Sequence, residues 1–582
     1  MPAAKAKTRF PLDSHSQLKF GKRVLKWYRR GHLLGPFEDD DPIIQDVRET
    51  PVFTVARPGG DVRPVSDASR RLDDGGPSVN EHIKEHAPEL ATVQYLKLQQ
   101  LLATVILATI VFGEDVLLWA KDLDEGYYNL RIREDQVRLT AFMFCGLWFL
   151  PMTLAMGLSS APFLFTVFMG YVVAAMLFAN QSMNYLVVDN SLLDQYRHHF
   201  PEESIEPIST THSRIPLIMY YLDDMFGLQI KRWIFKQFRG AQSVLRALSL
   251  NAQRKKDRDP AVYQLILGTG VKCNTFEVRI WKEKGEKYID FAHWLLSRET
   301  VVKRDLFSLT GKTRHLAVHQ PVLAAFARGV EVFGINDRNG RQLPWKHHIH
   351  WTDNLRTAIH ILIAAVQRAM KNAVSFDRIL ERRSFETSEI AMYTDAAGVH
   401  GGIGGFVARD DSICFQVHWN QIELAKHHDI LWKEMVAIWV MLRLNVDQCR
   451  GRNVAFVCDN KPVVGMLFRY KAPPFRPDLF WIILRIAEIC LHEDIWPYYH
   501  WLEGEKNITA DRLSRFHSQP FEHCANERLR SVDASAAALL RTAAQQTANF
   551  DVDVLRCRFK HDGDDDGDVP TNRPGTRECR RN

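Results

Sequence analysis

The chain contains a long segment without charge: between residues 139 and 188 there is no Asp, Glu, Lys or Arg. Such a segment has to be buried in a protein core or to span a membrane. Pro151 and the sequence GLSSAP at residues 157–162 interrupt it, and a helix in contact with lipid has no need of them. The pattern therefore favours a buried core, with a membrane-spanning segment as the alternative.

The length and residue usage are typical of a globular protein with several domains. A chain of 582 residues is expected to form about three or four domains. The 14 Trp and the 46% hydrophobic content exclude a mainly disordered protein. The nine Cys never form a Cys-x-x-Cys pair, which argues against a disulfide framework or a zinc ribbon. Because the N-terminus also lacks an apolar signal segment, we expect an intracellular protein, cytoplasmic or nuclear.

Composition shifts divide the chain into predicted regions. Residues 1–45 form a basic lead-in, and residues 46–300 alternate between strand and helix patterns. Residues 301–387 look helical, and residues 388–520 return to a mixed α/β pattern. Residues 521–582 are Ala-rich and then acidic, so we expect them to be disordered.

The lead-in segment KFGKRVLKWYRRGH carries basic residues and no acid. Phe20, Val24 and Trp27 fall on one face of a predicted helix. The segment is either an arm that contacts nucleic acid or a solvated helix that docks through these three side chains. The net charge of +6 permits a polyanionic partner without requiring one.

A first group of acids is predicted around the sequence IMYYLDDMFGLQI. Two short apolar runs flank Asp223 and Asp224, which predicts a hairpin with the two acids at its tip. Adjacent carboxylates repel each other unless a cation neutralises them, so a metal site is one interpretation and a solvated turn is the other. The strand predicted in VLLWAKD ends at Asp122 and offers a third carboxylate.

A second group of acids lies in the region 388–520. Asp395 ends a predicted strand, Glu434 lies on an amphipathic helix, Asp459 ends a buried strand, and Asp511 lies near the start of a helix. Two divalent ions held by such acids can activate water for attack on a phosphodiester. Any one of the four could instead be an ordinary surface acid.

The order of the motifs resembles the reverse transcriptases of retroelements, and the region 388–520 resembles the RNase H domains of retroviruses and retrotransposons. The motifs that carry the resemblance are VFTVARPGGDVRPVSD, SVN, KDLDEGYYNLRI, GLSSAPFLFT, YLDD, LSLNAQRKKDRDP, LILG and NITADRLSR. A polymerase followed by RNase H in one chain is like LTR-type and DIRS-type retrotransposons and pararetroviruses, and the SVN and ADRLSR motifs lean towards DIRS-type elements. The resemblance implies an α+β and α/β multidomain fold: a right-hand polymerase with fingers and palm (46–300) and thumb or connection (301–387), followed by an RNase H-like domain (388–520).

The resemblance also implies roles for individual residues. Two Mg²⁺ ions, or Mn²⁺, are expected at each site. The expected ligands of the polymerase site are Asp122, the carbonyl of Leu123, Asp223 and Asp224. Those of the RNase H site are Asp395, Glu434, Asp459 and Asp511. Substrate contacts are expected from Arg57 and Arg63 (triphosphate), Tyr127 (steric gate), Met156 and Gly157 (nascent base pair) and Lys255 (leaving pyrophosphate). Three of these positions depart from the family or have a second interpretation: Arg57 replaces a Lys, Leu-Ala-Met-Gly replaces Leu-Pro-Phe-Gly, and Tyr127 could be a core aromatic residue.

The implied function is RNA-directed DNA polymerase with RNase H, a nucleotidyltransferase joined to an endonuclease. The implied partners are an RNA template, a DNA primer, the RNA/DNA hybrid and dNTPs, without a membrane, and with any integrase or recombinase supplied by other proteins. The alternatives are a domesticated, non-catalytic nucleic-acid-binding protein with the same fold and a membrane protein built on the uncharged segment. The residues between 186 and 214 are predicted to be a surface insertion away from the chemistry.

Overall fold

The computed structural model describes residues 14–56, 62–71, 75–250, 252–253, 257–334, 344–408, 410–422, 425, 428–473, 476–516 and 526–548. The chain forms two compact units. Unit 1 is Met1–Arg279 with Ala373–Leu380, and unit 2 is Ile280–Asn372 with Glu381–Asn582. Most of the helical region predicted at 301–387 falls within unit 2.

The helices and strands are numbered in chain order. The helices are α1 Ser14–Arg29, α2 Val79–His86, α3 Leu98–Phe112, α4 Ala161–Ala179, α5 Gln181–Asn184, α6 Asn190–Asp194, α7 Lys231–Ala247, α8 Lys282–Leu296, α9 Lys303–Leu316, α10 Leu323–Gly334, α11 Asp353–Lys371, α12 Phe376–Leu380, α13 Ile430–Leu444, α14 Val446–Cys449, α15 Lys461–Arg469, α16 Pro477–His492, α17 Ile508–Arg515 and α18 Asn526–Ala548. The strands are β1 Leu33–Phe37, β2 Val52–Ala56, β3 Val62–Ser66, β4 Val116–Asp122, β5 Phe142–Phe144, β6 Leu147–Pro151, β7 Tyr185–Asp189, β8 Glu206–Pro207, β9 His212–Pro216, β10 Ile218–Tyr221, β11 Asp224–Ile230, β12 Arg258–Ala261, β13 Tyr263–Ile266, β14 Thr269–Lys272, β15 Glu277–Ile280, β16 Thr300–Val302, β17 His348–His350, β18 Val374–Ser375, β19 Ile390–Ala396, β20 Gly402–Val407, β21 Asp410–His418, β22 Asn453–Cys458 and β23 Trp496–Trp501.

The sheet that positions the first acids of unit 1 has the strand order β10-β11-β4-β12. Its neighbouring strands pair antiparallel, as expected for strands joined by tight hairpins. Helices α4 and α7 pack on this sheet and on each other. Helix α3 is apolar around most of its circumference and is accordingly buried along its first three turns.

The uncharged segment lies within unit 1, where it forms β5, β6, α4, α5 and most of β7. Helix α4 is long and apolar enough to cross a membrane by length and composition, with a mean hydropathy of 2.0. One face of α4, including Phe165 and Met169, is buried in the core, while Tyr171 and Phe178 on the other face are 74% and 77% exposed. The expectation that the whole segment is buried therefore holds for only one side of this helix.

The basic lead-in forms helix α1, and its apolar face is buried. Phe20, Val24 and Trp27 are almost fully covered and pack with aromatic residues of β5 and β6. The ring of Phe20 lies 4.9 Å from that of Phe144. The apolar face of this segment therefore agrees with the second interpretation, a helix that docks through these three side chains.

Unit 2 is built on a five-stranded mixed sheet with the order β21-β20-β19-β22-β23. Strands β19, β22 and β23 run parallel, and β20 and β21 form an antiparallel meander at one edge. The strand β22 is buried on both faces, as is usual for the centre of a sheet covered by helices. Helix α13 packs against β19 and α17 against β20.

The prediction that residues 521–582 are disordered is wrong for part of that range. Residues 526–548 form helix α18, which packs against β21 and α13. Ala536, Leu540 and Ala544 are fully buried there. The Ala-rich composition of the segment thus reflects close packing of a helix with small side chains.

Candidate active sites: two clusters of carboxylates

The first carboxylate cluster forms where β4 and β11 lie side by side. Asp122, the last residue of β4, is directly opposite Asp224, the first residue of β11. Strand pairing of this kind places Cα atoms about 4.5–5.5 Å apart. The N–H of Leu123 donates to the carbonyl of Asp223 at 3.0 Å. The predicted convergence of three acids is therefore a consequence of strand register.

Asp223 lies in the two-residue turn between β10 and β11, as the sequence predicted. Tyr221 pairs with Asp224, so Leu222 and Asp223 form the turn itself. Leu222 has φ 51°, a left-handed conformation that is costly for a branched side chain. Backbone strain of this kind is concentrated at functional sites.

A buried lysine that the sequence analysis missed fixes the strand of Asp122. Lys121 is fully covered, and its Nζ lies 3.0 Å from Oδ2 of Asp257 and 3.8 Å above the ring of Phe238. A buried charge needs such a partner, because an unpaired one is costly. The ion pair thus attaches β4 to the segment that follows α7. Its signal in the sequence is a Lys inside an apolar strand.

Tyr127 lies beside the first cluster. Burial raises the pKa of Tyr127 to about 12, with further contributions from Tyr95 and Asp223, while Arg63 acts in the opposite direction. Its ring lies 5.0 Å from that of Phe165. Tyr127 therefore packs on the core, and its pKa responds to the charges of Asp223 and Arg63. Its role as a steric gate stays a prediction.

Met156 and Gly157 are held against the second strand of the β2–β3 hairpin. The N–H of Ser66 donates to the carbonyl of Met156 at 2.7 Å. Gly157 has φ 118°, and a Cβ on it would lie 1.9 Å from the carbonyl oxygen of Ser66, so only glycine fits. Asn80 of the SVN motif donates to the carbonyl of Gly157 and accepts from the N–H of Ser159. Asn80 is thus the residue that positions this segment.

The remaining predicted substrate residues differ in what the structure says of them. Arg63 is an exposed residue of β3, paired with Val55. Leu123 is buried and forms an isolated bridge with Ala252. Arg57 and Lys255 lie outside the described residues.

The insertion predicted between residues 186 and 214 reaches closer to the first cluster than expected. It contains α6, β8 and β9, and its residues 198–201 line a cavity of about 910 Å³. Tyr221 and Leu222, next to Asp223, line the same cavity. The insertion and the turn that carries the acid thus line the same cavity.

The second carboxylate cluster brings together Asp395, Glu434 and Asp459 at one end of the unit 2 sheet. Asp395 and Glu434 are 4% and 3% exposed. Burial raises the pKa of Asp395 to about 6, and the charges of Asp459 and Asp511 add to this effect. Burial, with Asp395 and Asp459 nearby, also raises the pKa of Glu434 well above its usual value. Burial is thus the main cause of the raised pKa of both groups, and the neighbouring acids add to it.

Asp511 completes the predicted set from the first turn of α17. Its Oδ1 accepts from Nε of Arg515 at 2.6 Å. Burial raises the pKa of Asp459, and the charge of Asp511 contributes. One turn later, the hydroxyl of Ser514 donates to Asp395. Helix α17 therefore contributes both a carboxylate and a hydrogen-bond donor to the cluster.

Cys458 is a member of this cluster that the sequence analysis missed. Its thiol lies 3.7 Å from Oε2 of Glu434, and its sulfur accepts from the N–H of Asn460. Glu434, Cys458 and Asp459 could share one metal ion. The sequence signal was the pair Cys-Asp at the end of a buried strand. His500, on the neighbouring strand β23, stacks on the ring of Phe385.

The carboxylates of both clusters, without the thiol of Cys458, fit a divalent cation with oxygen ligands. Carboxylate oxygens are the ligands that Mg²⁺ and Mn²⁺ prefer. In unit 2 the acids raise one another's pKa, which is the condition that a bound cation relieves. In unit 1 the strand register brings Asp122 and Asp224 face to face.

Comparison with known proteins gave structural similarities only. No protein-family model matches this chain, and no curated protein matches it. Similar solved structures include the foamy viral protease-reverse transcriptase dRH in complex with double-stranded DNA, at 15% identity and a TM-score of 0.39 over 86% of this chain and 72% of that chain. The foamy viral protease-reverse transcriptase with an RNA/DNA hybrid gives 14% identity and a TM-score of 0.40 over 90% of this chain and 56% of that chain. This chain thus spans little more than half of the second protein.

Similarity at this level does not transfer a function. The chain is a mixed α/β protein of two compact units, and each unit contains a cluster of carboxylates. The function proposed below is argued from these residues.

Proposed function

We propose that the chain is an RNA-directed DNA polymerase with RNase H activity, from a retroelement related to LTR-type and DIRS-type retrotransposons. The observation that carries the proposal is the register of β4 and β11, which sets Asp122 opposite Asp224 with Asp223 in the adjoining turn. Polymerisation requires acids gathered at one point beside a pocket for the nucleotide. Tyr127 and Arg63 border that point.

In this proposal Asp122, Asp223 and Asp224 hold the metal ions of the polymerase, with the carbonyl of Leu123. When bound, Mg²⁺ lowers the pKa of the attacking hydroxyl and neutralises charge on the phosphates. Arg57, Arg63 and Lys255 contact the triphosphate, a role that suits their charge. Tyr127 lies under the sugar and excludes a 2′-hydroxyl, while Met156 and Gly157 lie along the nascent pair.

The second cluster performs the hydrolysis of the RNA strand. Asp395, Glu434, Asp459 and Asp511 hold two Mg²⁺ ions, with Mn²⁺ as a substitute. The raised pKa of Asp395 and Glu434 supports this role, because groups that resist ionisation together are those that gain most from a cation. The proposed partners are RNA template, DNA primer, hybrid and dNTPs in the cytoplasm or nucleus, and integration is left to other proteins.

The test is primer extension on an RNA template with Mg²⁺, run beside cleavage of an RNA/DNA hybrid. We expect Asp223→Asn to abolish synthesis and to spare RNA cleavage, and Asp459→Asn and Asp511→Asn to do the reverse. Asp135→Asn is the matched control, because Asp135 is an exposed acid paired with Arg133. Binding of the hybrid without either activity in the wild type would support a non-catalytic nucleic-acid-binding protein instead.

A further inference from the structure

The loop that joins Asp122 to Tyr127 is held from outside by helix α1. The carboxylate of Glu125 accepts from Nζ of Lys26 at 2.7 Å and from Nη1 of Arg30 at 2.6 Å. Nη1 of Arg23 lies 3.7 Å from the same carboxylate. Two cations of α1, Arg23 and Lys26, and Arg30 directly after the helix thus converge on a single acid of the loop.

The energetics of Glu125 indicate that this contact is needed. Glu125 has φ 53°, a left-handed conformation that costs free energy for a residue with a side chain. Its side chain is only 11% exposed. Burial by itself would raise the pKa of Glu125, but Lys26, Arg30 and Arg23 outweigh it and the pKa is lowered. The cations therefore stabilise an ionised, largely buried side chain in a strained backbone.

The strained residue is followed directly by contacts to the first cluster. A Cβ on Gly126 would lie 3.2 Å from Cβ of Asp223 and 2.9 Å from the ring of Phe165, so the loop backbone is pressed against both. The next residue is Tyr127. The ring of Tyr128 packs at a tilt against Trp27 of α1 with ring centroids 4.7 Å apart, which is a second contact between loop and helix.

We propose that Glu125, held by Lys26 and Arg30, is a positioning residue. It fixes where Tyr127 and the turn of Asp223 lie in the nucleotide site. This inference rests on the proposed polymerase function. In this view Lys26 and Arg30 bind the protein's own loop, and α1 supports the residues that select the nucleotide. A displacement of about 1 Å in such a loop can change turnover substantially.

The experiment is single-nucleotide incorporation by the full chain on poly(rA)/oligo(dT), with dTTP and with UTP. We expect Glu125→Gln and the double variant Lys26→Ala/Arg30→Ala each to raise the KM for dTTP about tenfold and to lower the preference for dTTP over UTP about fivefold. The Kd for the template–primer, measured by anisotropy, should stay within about twofold, because the clamp does not bind nucleic acid in this view.

Arg29→Ala is the matched control, since Arg29 is an exposed cation in the last turn of the same helix. Should Glu125→Gln fail to fold, the double variant still decides, because Lys26 and Arg30 are 40% and 43% exposed. Unchanged KM and selectivity in the double variant would overturn the inference, and so would an equal effect of Arg29→Ala. Absence of dTTP incorporation by the wild type would instead refute the proposed polymerase function.

Discussion

At the scale of single residues, both candidate sites contain groups whose backbone conformation or burial costs free energy. Leu222 and Glu125 have left-handed backbones, and Asp395 and Glu434 are carboxyl groups with raised pKa. At Asp395 the cost is partly offset by Ser514, whose hydroxyl donates to the carboxyl group. Strained backbones and carboxyl groups with a shifted pKa are concentrated at functional sites.

We predict that Asp395→Asn stabilises unit 2 in the absence of divalent ions. Because burial raises the pKa of Asp395 from 3.8 to about 6, its contribution to stability is present below the lower value and is lost as the pH rises through about 6. Asn removes the buried charge, so the free energy of unfolding should increase by roughly 1 kcal/mol at about pH 7.5. Urea unfolding in EDTA measures this.

The gain should vanish at about pH 4, where the wild-type carboxyl is neutral. Glu505→Gln is the control, because Glu505 is exposed. A destabilised Asp395→Asn protein at neutral pH would contradict the assignment of strain to this residue.

At the scale of elements, two kinds of contact gather the acids. In unit 1 the acids meet through strand register alone, since Asp122 and Asp224 are paired residues. In unit 2 the fourth acid depends on how closely α17 lies on β20. A Cβ on Gly404 would lie 2.5 Å from Cβ of Leu513 and 2.7 Å from the N–H nitrogen of Ser514. The absence of a side chain at Gly404 therefore sets the position of Asp511.

We predict that Gly404→Ala forces α17 away from β20. Overpacking of this kind costs about 1–3 kcal/mol. RNA cleavage should fall at least tenfold, because Asp511 and Ser514 move together. Thermal melting and hybrid cleavage measure the two effects, and DNA synthesis should be retained.

The control is Gly398→Ala, between β19 and β20, where a Cβ would meet nothing within 4 Å. Equal loss of cleavage in both variants would show that the segment tolerates no substitution, whatever the helix contact.

At the scale of the whole molecule, each unit holds its own carboxylate cluster and its own core. The chain returns to unit 1 at residues 373–380, after residues 280–372 of unit 2. This return includes β18, which pairs with β15. The net charge of +6 is modest, and part of the basic charge of α1 and of Arg30 after it is paired with Glu125 and Asp124. Binding of nucleic acid should therefore depend on other basic side chains and on ionic strength.

We predict that affinity for an RNA/DNA hybrid falls at least a hundredfold between about 50 and about 200 mM salt, through release of counterions from the phosphates. A copying enzyme must grip the backbone whatever the base sequence, so hybrids of unrelated sequence should give the same slope. Fluorescence anisotropy measures this, with the melting temperature at each salt concentration as the control. A flat response would contradict a backbone grip.

The sequence by itself determined the local elements that carry the acids. Apolar runs around Asp223 and Asp224 predicted the hairpin, and the strand, helix, strand and helix of Asp395, Glu434, Asp459 and Asp511 all exist. Such features follow from short-range periodicity and turn chemistry, which neighbouring residues fix. The prediction failed for α18, because composition alone does not show that small side chains pack against a sheet.

Only the tertiary structure decided what lies beside these acids. The opposition of Asp122 and Asp224, the clamp of Lys26 and Arg30 on Glu125, and the fit of Gly404 under α17 join residues far apart in the chain. The same is true of the division into two units, where residues 280–372 join the second. Long-range pairing depends on register, burial and charge in three dimensions, and no local pattern encodes these.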